Sequence, residues 1–108
     1  MKTVTTAGDS FSSIWEKLFR DISVVDNRPT AGLRPTIKGR TTLVEAYGLP
    51  RPLSIDDVRR VLVTLPGSVF IVDEFDRAPK EASNAFTDLI KALSDFGIDS
   101  TVVLTKIS

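Results

Sequence analysis

Cysteine and histidine are both absent from this 108-residue sequence. Without cysteine, disulfides, thiolate nucleophiles and zinc–thiolate sites are excluded. Without histidine, so are a Ser-His-Asp triad and imidazole metal ligands. Any catalysis must rest on carboxylates, lysine, arginine, hydroxyls or a bound metal. A charge excess is missing too. Fourteen acidic residues balance fourteen basic ones, so no global field draws the chain to nucleic acid or membrane. No apolar run is long enough to span a bilayer, and Met1-Lys2-Thr3-Val4 lacks the apolar segment of a signal peptide. The expectation is one cytoplasmic domain of ordinary globular composition.

What is present is an alternation of short strands and amphipathic helices. "KTVTTAG" (2–8) reads as a strand rich in Val and Thr. In "FSSIWEKLFRDI" the residues Phe11, Ile14, Trp15, Leu18, Phe19 and Ile22 share one helical face, with Asp9 or Ser10 as cap. Residues 23–52 are dense in Pro and Gly and read as a loop-rich insertion. Within it "TTLVEAYG" offers a turn or two of helix, ended by Gly48. Arg28, Arg34, Lys38, Arg40 and Arg51 outnumber Asp26 and Glu45 there, so the insertion is either a solvated surface loop or a contact for protein or nucleic acid. "SIDDVRRVLVTL" (54–65) opens with Ser54 and Asp57, an acidic capping box, and places Ile55, Val58, Leu62 and Leu65 on one face. Pro66-Gly67 stops it.

"SVFIVDE" (68–74) then reads as a buried strand, because its apolar residues run without alternation. Pro79 suits the first position of a helix whose stripe is Ala82, Ala85, Phe86, Leu89, Ile90, Leu93 and Phe96. Gly97 ends it, and "STVVLT" (100–105) is a last buried strand. This order predicts an α/β fold with a short, mainly parallel sheet of about three strands and flanking helices.

The central strand ends in Asp73 and Glu74, with Asp76 and Arg77 just beyond. Ligands of parallel sheets gather at the carboxyl ends of strands. Four apolar residues followed by Asp-Glu form a Walker B pattern, in which the first acid organises Mg²⁺ through water and the second polarises the attacking water. Asp76 is placed to cap the next helix, and Arg77 to pair with Asp73, Asp76 or a helix acid.

"SVFIVDEFDRAPKEASNAFTDLIKALSDFGIDSTVVL" resembles the Walker B to sensor 1 portion of AAA-type P-loop ATPases, especially the bacterial and archaeal members akin to origin-recognition ATPases. "VTTAGDSFSSIWEKLFRDI" is similar to the strand and helix that follow their P-loop helix. The resemblance covers nearly the whole of 1–108, least well over 23–52. It implies a three-layer P-loop fold, ATP and Mg²⁺ as cofactors, Asp73 as the Mg²⁺-organising acid, Glu74 as the water-activating acid and Thr105 as a sensor residue.

The sequence departs from the family in one large respect: no G-x-x-x-x-G-K-[ST] occurs among these residues. Gly32, Gly39 and Gly48 have the wrong spacing, and "KGRTT" (38–42) has the wrong order. The backbone cradle and lysine that hold phosphates are therefore missing, and the isolated chain is expected neither to turn over ATP nor to bind it well. The resemblance implies that the three remaining strands stay contiguous, with the acid-bearing strand in the middle. The strand over 100–105 then becomes an exposed edge and one sheet face loses its cover, so self-association through either is expected. The alternative is a non-enzymatic pseudo-ATPase module that binds a protein or nucleic acid. A DExD-box helicase piece fits "DEFD" but also needs its own P-loop.

Overall fold

The structure is a computed structural model that describes residues 1–26, 39–43 and 47–106. Among these residues five strands and three principal helices are assigned: β1 (Lys2–Val4), α1 (Phe11–Arg20), β2 (Ser23–Asp26), β3 (Gly39–Thr42), α2 (Ile55–Val63), β4 (Ser68–Asp73), α3 (Lys80–Asp95) and β5 (Ser100–Leu104). A short 3-10 turn, Phe75–Arg77, joins β4 to α3. The main sheet has the order β1-β4-β5 and both pairings are parallel. The acid-bearing strand is its middle member, as expected.

Local chemistry sets the helix boundaries. Ser10 caps α1, with its side chain accepting from the Ser13 amide while the Ser13 hydroxyl accepts from the Ser10 amide. Ser54 and Asp57 form the same reciprocal box at α2, so two donors that the first turn leaves orphaned are satisfied at each start. Asp57 also lies 2.5 Å from Arg60. At α3, Pro79 occupies the cap position without a side-chain cap bond. Asp76 sits in the 3-10 turn rather than at that cap. The far end of α3 closes with two bonds, Ile98 N–H to Leu93 O at 2.9 Å and Gly97 N–H to Ser94 O at 3.2 Å. This Schellman closure needs a left-handed residue, and Gly97 supplies it at φ 62°.

The core lies between the helices and one face of the sheet. Ile14, Trp15, Leu18 and Phe19 of α1, Val58, Val61 and Leu62 of α2, and Phe86, Leu89 and Leu93 of α3 surround Phe70 and Val72 of β4 in a single cluster. Its centre is aromatic: Trp15 stacks on Phe86 at 5.8 Å between centroids and meets Phe70 edge-on at 5.1 Å. Such pairs add about 0.5–1.5 kcal/mol each beyond the area they bury.

Four readings of the sequence need correction. First, β4 is not buried on both faces. Phe70 and Val72 are fully buried, but Val69 is 44% exposed and Ile71 only partly covered. The reason is that the core helices share one side, so the described sheet is a two-layer arrangement, not a three-layer one. Second, β5 is likewise half-covered, with Thr101 and Val103 exposed. Third, residues 23–52 are not simply loop: β2 and β3 pair antiparallel, Ser23 with Thr42 through Asp26 with Gly39. Val24, Val25, Thr41 and Thr42 are β-branched, and that preference outweighed the density of Pro and Gly around them. Fourth, Ile90 and Phe96 of the expected α3 stripe are exposed, at 42% and 65%. Phe96 instead lies under the Arg59 guanidinium, 4.6 Å from its ring centroid. Of the expected helical turn over "TTLVEAYG", Leu43 and Tyr47 are helical and Gly48 follows at φ 58°, while 44–46 lie outside the described residues, as do Arg28, Arg34, Lys38 and Glu45 of the basic loop.

Among the described residues no helix is long and apolar enough to cross a membrane.

Candidate functional site at the carboxyl edge of the sheet

The strands β1, β4 and β5 run parallel, so their carboxyl ends form one edge. The Thr5 amide bonds to Asp73 O at 2.9 Å, the Thr105 amide to Val72 O at 3.0 Å, and the Phe75 amide to Thr105 O at 2.8 Å. The ladder thus stays closed up to the point where the acids emerge. Alternation from exposed Val69 puts Ile71 and Asp73 on the open face. Register adds their neighbours: Lys2 pairs with Ile71, Val4 with Asp73 and Val103 with Ile71.

Asp73 is held from three sides. Its Oδ1 accepts from the Thr105 hydroxyl and, at 3.2 Å, from the Glu74 amide. Its Oδ2 lies 3.3 Å from the Lys2 ammonium. The Thr105 hydroxyl, with Lys2 and the Glu74 amide adding to it, holds the Asp73 carboxyl below the usual carboxylate range despite some desolvation. Asp73 is therefore a fixed anion and a weak base.

Glu74 leaves the strand in the left-handed region, at φ 55° and ψ 39°. A non-glycine residue there carries a steric cost and is held by its surroundings. The turn carries its side chain to Arg77, Oε2 to Nε at 3.5 Å. Arg77 had been expected to pair with Asp73, Asp76 or a helix acid; it pairs with Glu74. The structure thus joins Asp73 to Thr105, two of the three expected site residues, and turns Glu74 toward the 3-10 turn.

A second polar group lies in the segment leading from β1 to α1. The Asp9 carboxylate, 8% exposed as a residue, accepts from the Thr6 amide at 2.8 Å and the Ser13 hydroxyl at 2.7 Å. Lys17 lies 2.7 Å from its Oδ2 and also donates to Val4 O at 2.7 Å. Burial pushes the Asp9 carboxyl up, but Lys17, Thr6 and Ser13 together outweigh it and bring it down to about 2. Thr5 Oγ1 and Trp15 Nε1 are fully buried without a hydrogen-bond partner among the described residues.

Sequence reasoning did not find Lys2 or the Asp9–Lys17 pair. Lys2 reaches Asp73 only through the β1–β4 register, which spans about seventy residues of chain. The Asp9–Lys17 contact reaches from the residue before the Ser10 cap across two turns of α1 and follows no fixed sequence spacing.

As placed, these residues do not make a directly ligated Mg²⁺ site. Mg²⁺ takes about six oxygen ligands, commonly carboxylates, waters and substrate phosphates. Here a single carboxylate is offered, and one of its oxygens faces an ammonium. Among the described residues no group of three or more acidic side chains converges. What the arrangement can do chemically is hold one ionised carboxylate rigidly at the strand end, beside a hydroxyl and a lysine.

Comparison with protein-family models, with curated proteins and with solved structures finds no match to this chain.

Proposed function

We propose that this chain is the Walker B half of an AAA-type ATPase domain, inactive by itself because the phosphate cradle is missing from its sequence. The observation that carries this reading is the contact between Thr105 and Asp73 at the carboxyl edge. A polar residue ending the strand beside the acid-bearing strand is what a sensor 1 position requires, and here it touches the acid. The middle position of β4 in a parallel order also supports it. ATP and Mg²⁺ belong to a domain that supplies the cradle. Asp73 would there meet the hydrated ion after exchanging its Lys2 partner, and Glu74 would serve water after leaving Arg77.

The test is a MgATP titration of these 108 residues beside a version extended through the upstream coding sequence. Binding is expected in an extended chain that carries a P-loop and not in the 108-residue chain. Micromolar binding by the short chain overturns the reading, as does a P-loop-bearing extension that fails to bind.

A second reading is favoured by the open sheet face: a non-enzymatic pseudo-ATPase scaffold that binds a protein or nucleic acid. Parallel sheets are ordinarily covered on both sides. Here Val4, Val69 and Val103 are exposed on one. An upstream reading frame with no P-loop favours it. On either reading, copies of the chain associate through the edge strand over 100–105 or through the uncovered face, which light scattering across a concentration series checks.

A further inference from the structure

We infer that two copies of this chain pair antiparallel through β5, in one register centred on Val102, to form a continuous six-stranded sheet. This rests on the self-association reading above and specifies its geometry.

The first ground is backbone polarity. The Thr105 amide and carbonyl, and the Asp99 carbonyl, point toward β4 and its flanks. Backbone direction alternates along a strand, so Thr101 and Val103 point the same way, while Val102 and Leu104 direct theirs to the free edge, as does the Ser100 carbonyl; the Ser100 amide is taken by Ile98 O at 3.0 Å. A symmetric antiparallel pair centred on Val102 sets Val102 opposite Val102, and Ser100 opposite Leu104 twice. The two Val102 residues exchange both bonds, and each Ser100 carbonyl accepts from the facing Leu104 amide. Shifting the register by two residues leaves outward groups unmatched, and shifting it by one turns them away from each other.

The second ground is shape. A groove of about 300 Å³ runs beside this edge, lined chiefly by Ile90, Leu93, Ile98 and Val102. It lies on the helix side of the sheet, the side to which Val102 and Leu104 project, since they pair with buried Phe70 and Val72. The second copy's Val102 and Leu104 enter that groove in the inferred register. The exposure of Ile90 at 42%, anomalous for an apolar residue of the α3 stripe, is thereby accounted for.

The third ground is charge. β5 carries no charged residue, but Asp99 precedes it and Lys106 follows it. Neither has a charged partner among the described residues. A parallel pairing of copies sets like beside like. The antiparallel one sets each Lys106 opposite the second copy's Ile98, one residue from its Asp99. On the open face, Thr101 meets Val103 across the seam, so the exposed Val69 and Val103 and the partly covered Ile71 of both copies join in one apolar strip.

Because the chain has no cysteine, single substitutions report the register cleanly. Val102→Cys is expected to oxidise to a disulfide-linked dimer, Cα atoms across such a pair being within bridging distance. Ser100→Cys and Leu104→Cys are each expected to link poorly alone and efficiently when mixed. Val102→Lys, which sets a charge in the groove, is expected to raise the dimer dissociation constant at least about tenfold in sedimentation, with its circular dichroism unchanged. A chain that stays monomeric at high concentration overturns self-association and this register together. A dimer that links through Val69→Cys but not through Val102→Cys keeps self-association and overturns strand pairing.

Discussion

The ammonium of Lys17 lies 2.7 Å from the carboxylate of Asp9, where the chain passes from β1 into α1. The pair is mostly buried and tied on both sides, to Val4 O through Lys17 and to Thr6 and Ser13 through Asp9. It therefore fixes how the helix leaves the sheet edge.

The acid titration of stability follows from that pair. The Asp9 carboxyl is brought from 3.8 down to about 2 in the folded chain. A depressed carboxyl stabilises the fold above its unfolded value and loses that contribution as pH falls through the folded value. Asp9 is thus expected to contribute on the order of 2 kcal/mol at neutral pH, lost between about pH 4 and pH 2. Asp9→Asn should lower stability by that order and flatten the pH profile across the window. Urea unfolding followed by the emission of Trp15, the only tryptophan, measures both.

Glu74 offers a backbone test. Its φ of 55° favours glycine, and its partner Arg77 forms an exposed ion pair, worth about 0–1 kcal/mol. Glu74→Gly is expected to stabilise the chain by about 1 kcal/mol, or to leave it unchanged where lost charge offsets relieved strain. Glu74→Val should destabilise by about 1–3 kcal/mol. Thermal unfolding of the two variants should therefore move apart; equal midpoints would show that the left-handed turn carries no strain.

The unpartnered Thr5 hydroxyl makes a further expectation. A buried hydroxyl without a bond costs about 1–3 kcal/mol, and a methyl of similar shape removes that cost. Thr5→Val is expected to raise stability by about 1 kcal/mol. A loss instead would reveal a bound water or another partner at Oγ1, which a crystal structure would locate.

Thr105→Val tests the acid site directly. The Thr105 hydroxyl is the largest cause of the low Asp73 carboxyl. Its removal should move the Asp73 titration upward, toward the ordinary carboxylate value, and Lys2→Gln should move it the same way by less. Carboxyl-detected NMR of the three chains reads the order. An unchanged titration in Thr105→Val would break the contact on which the functional proposal rests.

Much of the fold was legible because it depends on local periodicity. The α1 stripe of Phe11, Ile14, Trp15, Leu18 and Phe19 is the stripe that is buried. The box at Ser54 and the stop at Gly97 depend on residues three to five apart. The failures came where burial depends on what lies across the sheet. An unalternating run such as "VFIV" suits a strand covered on both faces, but nothing in the run says whether a cover exists. Val69 is accordingly apolar yet exposed, and Ile71 only partly covered. At the site, Asp73 and Glu74 announced themselves by adjacency to a strand. Lys2 did not, because its role depends on a register between strands about seventy residues apart.

The pairing of β1 with β4 also sets an order of assembly. β4, α3 and β5 form a parallel unit within 68–104, closed by contacts that are near in sequence. β1 must wait for Asp73 before its own partner exists. During synthesis β1 leaves the ribosome long before β4 exists to receive it. The Lys2–Asp73 bridge and the Thr5 amide bond close the longest loop of the main sheet, so the acid edge is complete only once β1 has docked.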